Sequence, residues 1–231
     1  ADLFIDCSGT HSVLLAQHLN EPFISRQSVL FNDRALAVHV PYTDSQQAIA
    51  SATLSTAQRA GWIWDIGLPS RRGVGYVYSS AHSTESQAEE DLRLYLTASV
   101  GKAKANAAQF RSLKINPGHR ASFWKKNCVA VGMSAGFIEP LEASALALVE
   151  LSASMIRDDM PATQDLMEAT AKRFNERFQY RWDRIIDFLK LHYVLSQRSG
   201  SDYWHDHRDA SSIPEHLQAL LSRWRYQSPS R

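Results

Sequence analysis

The run Cys128-Val129-Ala130-Val131-Gly132-Met133-Ser134-Ala135-Gly136-Phe137-Ile138-Glu139-Pro140-Leu141-Glu142-Ala143-Ser144-Ala145 decides how this chain folds. Cys128 to Val131 is a short apolar segment of strand length. Gly132, Ser134 and Gly136 then make a loop of small residues. After Pro140 the segment Leu141 to Met155 is apolar nearly all round, with Glu150 the main exception. A helix without a polar face is a buried helix. Strand, small-residue loop and buried helix in that order belong to an α/β sheet whose ligands collect at the carboxyl ends of its strands. The start of such a helix presents unpaired N–H groups and the positive end of its dipole, which suits phosphate or halide. Glu139 and Glu142 stand at that same end. Both complement the dipole; equally, a carboxylate just ahead of an apolar helix is a candidate acid or base.

Toward the start of the chain, Leu3-Phe4-Ile5 reads as a strand running into Asp6-Cys7-Ser8-Gly9, again a strand that ends in small residues. Ser12 to Leu19 reads as a short helix. An apolar strand almost at the first residue, with no methionine ahead of it, points to the later part of a longer protein. From about residue 28 to 80 the pattern changes to short β-prone runs. Leu36 to Val40 is stopped by Pro41, while Trp62 to Ile66 and Val74 to Tyr78 flank a turn at Pro69 to Gly73. They predict an antiparallel sheet forming one wall of a pocket. Trp62 and Trp64, two residues apart, share a face of their strand. Such a pair suits either a packed core or the wall of an aromatic site.

Thr84 and Gln87 fit a capping box, and Ala88, Leu92, Tyr95 and Leu96 follow at helical spacing. From Gln164 to about Gln197 the chain is strongly helical, with Phe174, Phe178, Trp182, Ile185 and Leu189 as one apolar stripe. Arg173, Arg177, Arg181 and Arg184 sit beside it, interleaved with Glu176, Asp183 and Asp187. Local ion pairs on a solvated face account for that row better than a nucleic-acid patch does. Pro214 to Tyr226 forms a last amphipathic helix. The chain divides into residues 1–160, an α/β portion with the antiparallel sheet inserted at about 28–80, and a helical region at 161–231.

The 231 residues carry 25 Lys+Arg against 24 Asp+Glu, a net charge of +1, which offers no general pull on nucleic acid. No apolar run approaches the roughly 18 residues that span a bilayer. Cys7 and Cys128, the 2 cysteines, have no metal-type spacing and make no disulfide scaffold, so the expected compartment is the cytoplasm.

Taken together, these segments resemble the flavin-dependent tryptophan halogenase family. Gly132 to Leu146 looks like the family's flavin and active-site segment, and Trp62-Ile63-Trp64-Asp65-Ile66-Gly67 is similar to its Trp-x-Trp-x-Ile-Pro motif, with Gly67 where proline is usual. Asp33 to Val38 with Pro41-Tyr42, and Gly75 to Ser80, also match. The likeness runs to about Tyr203-Trp204 and covers the later part of a family member.

The resemblance implies an α/β (α+β) fold: the later part of a flavin-monooxygenase-like FAD-binding domain, an antiparallel substrate sheet, and C-terminal helices over the substrate site. It implies that reduced FAD and oxygen form a hydroperoxide, which chloride or bromide converts to hypohalous acid for halogenation of an indole-type aromatic. Glu142 falls on the catalytic glutamate. Gly9, Gly132, Ser134, Ala135, Gly136 and Phe137 fall on the cofactor loops. Ser144 and Ala145 fall on the pair whose backbone holds the halide, where commoner members have Thr-Gly. Trp62 and Trp64 fall near the flavin, and Tyr193, Tyr203 and Trp204 are candidate substrate contacts. The family's Gly-x-Gly-x-x-Gly fingerprint and catalytic lysine have no match in these residues, so this chain by itself is expected to bind FAD poorly and to be inactive. The implied partners are an indole-type small molecule and a flavin reductase, with no nucleic acid, no membrane, and a homodimer left open. The alternatives are a flavin-dependent aromatic monooxygenase on the same scaffold and a non-enzymatic helical binding module.

Overall fold

The computed structural model describes residues 2–44 and 46–229. Residues 1 and 45 of the expected 1–160 portion and residues 230–231 of the expected 161–231 region lie outside the described residues. The strands in chain order are β1 (Phe4–Asp6), β2 (Phe23–Ser25), β3 (Arg34–Pro41), β4 (Leu54–Gln58), β5 (Gly61–Gly67), β6 (Arg71–Tyr78), β7 (Arg111–Lys114), β8 (Gly118–Arg120), β9 (Trp124–Lys125), β10 (Cys128–Ala130) and β11 (Gly136–Phe137). The α-helices are α1 (Glu85–Val100), α2 (Lys102–Ala107), α3 (Ser144–Asp158), α4 (Met167–Val194), α5 (Asp202–Asp206) and α6 (Glu215–Trp224). Helices and mainly antiparallel sheets make this a mixed α/β fold. The chain forms two compact units. One comprises residues up to Leu30, Asn116–Leu195 and the residues from Ala210 on; the other comprises Phe31–Ile115 and Ser196–Asp209.

The second unit is built on a five-stranded antiparallel sheet in the order β4-β5-β6-β3-β7. Alternation decides what each face carries. Leu36, Val38 and Val40 of β3, Ile63 of β5, and Val74, Tyr76 and Tyr78 of β6 pack against Ala88, Leu92 and Leu96 of α1 and Ala105 of α2. The one carboxylate facing this way, Asp65, is buried but takes a two-point bond from Arg72 and a 3.0 Å bond from the Tyr95 hydroxyl. α1 starts where the sequence predicts. The Thr84 hydroxyl accepts from the Gln87 N–H, and the Gln87 side chain accepts from the Thr84 N–H, which closes a capping box. The sheet also takes in β7, and the turn between β5 and β6 is tighter than Pro69 to Gly73, since the Leu68 N–H already bonds the Arg71 carbonyl.

In the first unit, β1 lies parallel to β10, with Phe4 opposite Cys128 and Asp6 opposite Ala130, and β9 completes a three-stranded sheet. β11, β8 and β2 form a second small sheet. α4 runs 28 residues and docks through rings. Phe174 and Phe178 stack at 4.3 Å, Phe123 stacks on Trp182 at 6.2 Å, and Trp124 meets Phe174 edge-on at 5.5 Å. Asn175 fixes the register, its Oδ1 accepting from the N–H groups of Phe123 and Trp124 at 2.8 Å each.

Two expectations are corrected here and a third is refined. Ser12 to Leu19 does hold a short helix, at Val13–His18, but of π type, with the Asp6 carboxylate taking the N–H groups of Leu14 and Leu15 at its start. The buried stripe of α4 passes through Ile186 and not Ile185, as the 3.6-residue period drifts along so long a helix. The apolar helix after Pro140 is not buried all round. Leu148, Ser152, Met155 and Ile156 are buried, but Leu146 is 76% exposed and Val149 and Leu151 are also exposed. The arginine row is engaged locally. Arg173 and Arg177 reach Asp159, Arg184 reaches Asp187, and Arg181 lies over the Phe178 ring.

Candidate functional site

Because β1 and β10 run parallel, their carboxyl ends fall at the same edge of the sheet, where a ligand finds backbone groups not used by the ladder. β1 ends into Cys7-Ser8-Gly9 and β10 into Val131-Gly132-Met133. Gly9 and Gly132 both adopt φ of +70°, a left-handed turn that suits glycine. A Cβ on Gly9 would meet no heavy atom within 4 Å, so the loop is open beside it. Ser134, fully buried, ties the two loops together. Its hydroxyl bonds the Asp6 carbonyl and the Val131 carbonyl, and the Val131 N–H also donates to the Asp6 carbonyl at 3.0 Å. Ala135 is buried with its carbonyl accepting from the Arg120 N–H at 2.7 Å. Gly136 is held where any Cβ would stand 2.6 Å from the Gly118 carbonyl. Phe137, in β11, is half-buried.

From there the chain reaches Glu142 through a strained turn. Glu142 has φ +62° and Ala143 φ +51°, two successive left-handed residues with side chains. Each such conformation costs on the order of 1 kcal/mol or more. α3 begins at Ser144 directly after a 3-10 turn at Leu141–Ala143, with no side chain capping it; the first-turn N–H groups of a helix are the ones that can face an anion. The Glu142 carboxylate is 49% exposed and lies 3.4 Å from His192 Nε2 on α4. Ser144 is half-buried and Ala145 exposed. Glu139, three residues earlier, is buried and accepts a 2.7 Å hydrogen bond from the Tyr193 hydroxyl.

The tryptophan pair lies on the face of the five-stranded sheet opposite α1. Trp62 is buried and Trp64 half-buried, with their rings edge-on at 6.4 Å. The floor beneath them is made of small residues, as Trp62 pairs with Ala57 and Val77, and Trp64 with Ser55 and Gly75. Gly75 is required there. A Cβ would stand 2.1 Å from the Trp64 ring and 2.6 Å from the Leu36 carbonyl. Gly67 leaves room for Ile49, whose methyl would be 2.7 Å from a Cβ at that position.

The three residues expected to touch a substrate are all interior. Tyr203 is fully buried among Phe31, His82, Trp204 and His207, with its hydroxyl donating to Asn32 Oδ1 at 3.0 Å. Trp204 donates its indole N–H to the Gln58 carbonyl at 2.9 Å, and Tyr193 is engaged by Glu139. Sequence reasoning passed over Asp6 and His192. Asp6 could have been found as a carboxylate just ahead of Ser8 and Ser12, residues that favour capping turns. Nothing in the local pattern marks His192. Lys125 pairs with Glu21 at 2.9 Å. Among the described residues no cluster of His, Cys, Asp or Glu could hold a metal ion, and no helix is long and apolar enough to cross a membrane.

Two small-residue loops lie at the carboxyl ends of parallel strands in a mixed α/β fold, with a carboxylate just ahead of a helix start. The chain belongs to the tryptophan halogenase family, whose description matches residues 1–230. It is similar to the crystal structure of a tryptophan halogenase from Shewanella frigidimarina NCIMB 400, with 58% identity and a TM-score of 0.96, covering 99% of this chain and 43% of that one. It is 36% identical to tryptophan 6-halogenase SttH from Streptomyces toxytricini over 99% of this chain and 42% of that protein. BrvH, a flavin-dependent halogenase from Brevundimonas sp. BAL3, superposes with a TM-score of 0.87 at 34% identity, over 97% of this chain and 44% of BrvH. The chain thus spans less than half the length of the relatives it matches.

Proposed function

We propose that the protein containing this chain is an FAD-dependent halogenase that installs chloride or bromide on an indole-type aromatic. The observation that carries this reading is the placement of Glu142. It is a half-exposed carboxylate on a left-handed turn, directly ahead of an uncapped helix N-terminus. A carboxylate that takes a proton and N–H groups that receive an anion are two of the things aromatic halogenation asks of a protein, and here they are adjacent in the chain.

FAD fits the residues present. The Gly9 and Gly132 loops open at one sheet edge, and a side chain at Gly9 would occupy space that nothing else fills. Gly9, Gly132, Ser134, Ala135, Gly136 and Phe137 would hold it. Reduced FAD, when bound, supplies with oxygen the oxidising equivalents that convert halide to hypohalous acid. The N–H groups of Ser144 and Ala145 bind the halide, as charge-assisted bonds at a positive helix end. Glu142 orients the oxidant toward the ring and takes the proton from the ring carbon that has gained the halogen. Trp62 and Trp64 form an aromatic wall. Tyr203 and Trp204, their polar atoms already bonded, hold residues 196–209 to the sheet. A separate reductase supplies reduced FAD.

The test uses the complete protein with reduced FAD, oxygen and bromide, offered indole and tryptophan. Mass spectrometry should show a product with the bromine isotope doublet. A hydroxylated product independent of halide, or peroxide release alone, refutes the reading.

A further inference from the structure

Two neighbouring residues of α4 engage two carboxylates of a single loop. Tyr193 donates its hydroxyl to Glu139 Oε2 at 2.7 Å, and His192 Nε2 lies 3.4 Å from Glu142 Oε1. The two contacts differ in kind. The Glu142 contact is half in solvent, where such a pair contributes little. The Glu139 contact is interior, both side chains being 2% exposed. Burying a carboxylate is costly unless hydrogen bonds compensate it, and a buried hydrogen bond to a charged acceptor is among the stronger ones.

What lies between explains why such a contact is needed. Glu142 and Ala143 both have positive φ, and consecutive strained residues persist only where the surroundings over-determine them. No side chain caps α3, so that end contributes no polar anchor to the turn. The turn itself is closed by the Ala143 N–H on the Pro140 carbonyl at 3.2 Å, and Glu139 adds a buried side-chain anchor just ahead of it.

We propose that Glu139 and Tyr193 are positioning residues of the reaction: their buried hydrogen bond pins the loop to α4 and thereby sets the direction of the Glu142 carboxylate. This rests on the reading of Glu142 as the catalytic carboxylate. Displacing a reacting group by about 1 Å is enough to slow a reaction by around a hundredfold, so loss of the anchor acts on turnover before it acts on binding.

The experiment compares wild type, Glu142→Gln, Tyr193→Phe, Glu139→Leu and Glu139→Gln in the complete protein, with steady-state kinetics and thermal unfolding. Tyr193→Phe removes one oxygen and keeps the ring. The expected result is a fall in kcat of about tenfold or more, with KM for the indole substrate and FAD affinity within about threefold of wild type. More reduced flavin should then be consumed without product. Glu139→Gln keeps a carbonyl acceptor for the Tyr193 hydroxyl and should turn over at least about fivefold faster than Glu139→Leu. Combining Tyr193→Phe with Glu139→Leu should cost less than the sum of the two alone, since both remove the same hydrogen bond. If wild type halogenates and Glu142→Gln does not, yet Tyr193→Phe keeps kcat within about twofold, the inference fails and the reading of Glu142 stands. Losses confined to unfolding temperature, FAD affinity or KM also overturn it. An inactive wild type, or an active Glu142→Gln, overturns the reading and this inference together.

Discussion

Replacing Asp6 with Asn tests the physical account of the two small-residue loops. Asp6 is 1% exposed. Its Oδ2 accepts from the N–H groups of Leu14 at 3.0 Å and Leu15 at 2.9 Å, and its Oδ1 from the Ser8 N–H at 3.0 Å and the Ser8 hydroxyl at 2.5 Å. An amide offers one oxygen. The less costly orientation keeps that oxygen on Leu14 and Leu15 and turns the NH2 toward Ser8, which leaves the Ser8 N–H unmatched. Hydrogen bonds to charged groups contribute about 1.5–3 kcal/mol and neutral ones about 0.5–1.5. One lost and two weakened bonds come to about 3 kcal/mol. For a chain of this size that is about 6–12 °C in unfolding temperature. The pH dependence has a definite sign. Burial by itself raises the Asp6 pKa, but the hydrogen bonds from Leu15, Ser8 and Leu14 outweigh it and hold the group below the ordinary aspartate value. The folded state therefore favours the carboxylate. Its contribution is present in full above the unfolded-state pKa of about 4 and is lost as pH falls through the lower folded value. Thermal unfolding of wild type and Asp6→Asn from pH 7 downward should show a gap that closes in acid. A gap below about 2 °C at pH 7, or one that widens with acid, refutes the reasoning.

Glu142→Gln should cut halogenation by at least about a hundredfold in product assays. It should leave the unfolding temperature unchanged, because the carboxylate is half exposed; activity within about threefold of wild type contradicts the assignment. Gly75→Ala should destabilise by about 1–3 kcal/mol, because its methyl would sit 2.1 Å from the Trp64 ring with the Leu36 carbonyl close behind. The displaced indole should also change tryptophan emission, and unchanged stability and emission would count against the small-residue floor. Thr84→Ala removes the acceptor for the Gln87 N–H and should cost about 1 kcal/mol in chemical denaturation, with Thr84→Ser recovering most of it.

The elements that could be read from the sequence are those whose signal is local. The Thr84 capping box, the strands from Leu36 and Trp62, and the ring stripe of α4 each lie within one periodic run, and each formed where expected. What could not be read depends on contacts remote in sequence. The short helix at Val13–His18 was legible, but not that it is of π type or that a carboxylate eight and nine residues earlier caps its first N–H groups. The all-apolar pattern after Pro140 reports that a helix lacks a polar face, and it does not report which residues cover it; Leu146 is left exposed. For the candidate site, small residues marked both loops, but that β1 and β10 are parallel neighbours is a fact of topology. Tyr193 drew notice as an aromatic beside a possible substrate, and its hydroxyl turned out to serve Glu139 from 54 positions away.

Stability and site geometry are coupled at some of these positions and separate at others, and the hydrogen bonding says which. Asp6 is engaged through both ends: its carboxylate holds the turn after Gly9, while its main-chain carbonyl receives the Val131 N–H and the Ser134 hydroxyl from the second loop. A defect there loosens both loops, so on the proposed FAD site Asp6→Asn should weaken FAD binding and stability in the same variant. The chemistry proposed for Glu142 sits on a half-exposed side chain, so Glu142 should be changeable without unfolding the chain. Glu139 lies between these cases. It is interior like Asp6, but its tyrosine bond holds the turn that carries Glu142, so the proposed positioning role calls for a near-isosteric change in Tyr193 to expose it. A truncation to alanine at Glu139 would merge the loss of an anchor with the cost of a cavity, and only the hydroxyl deletion keeps the two apart.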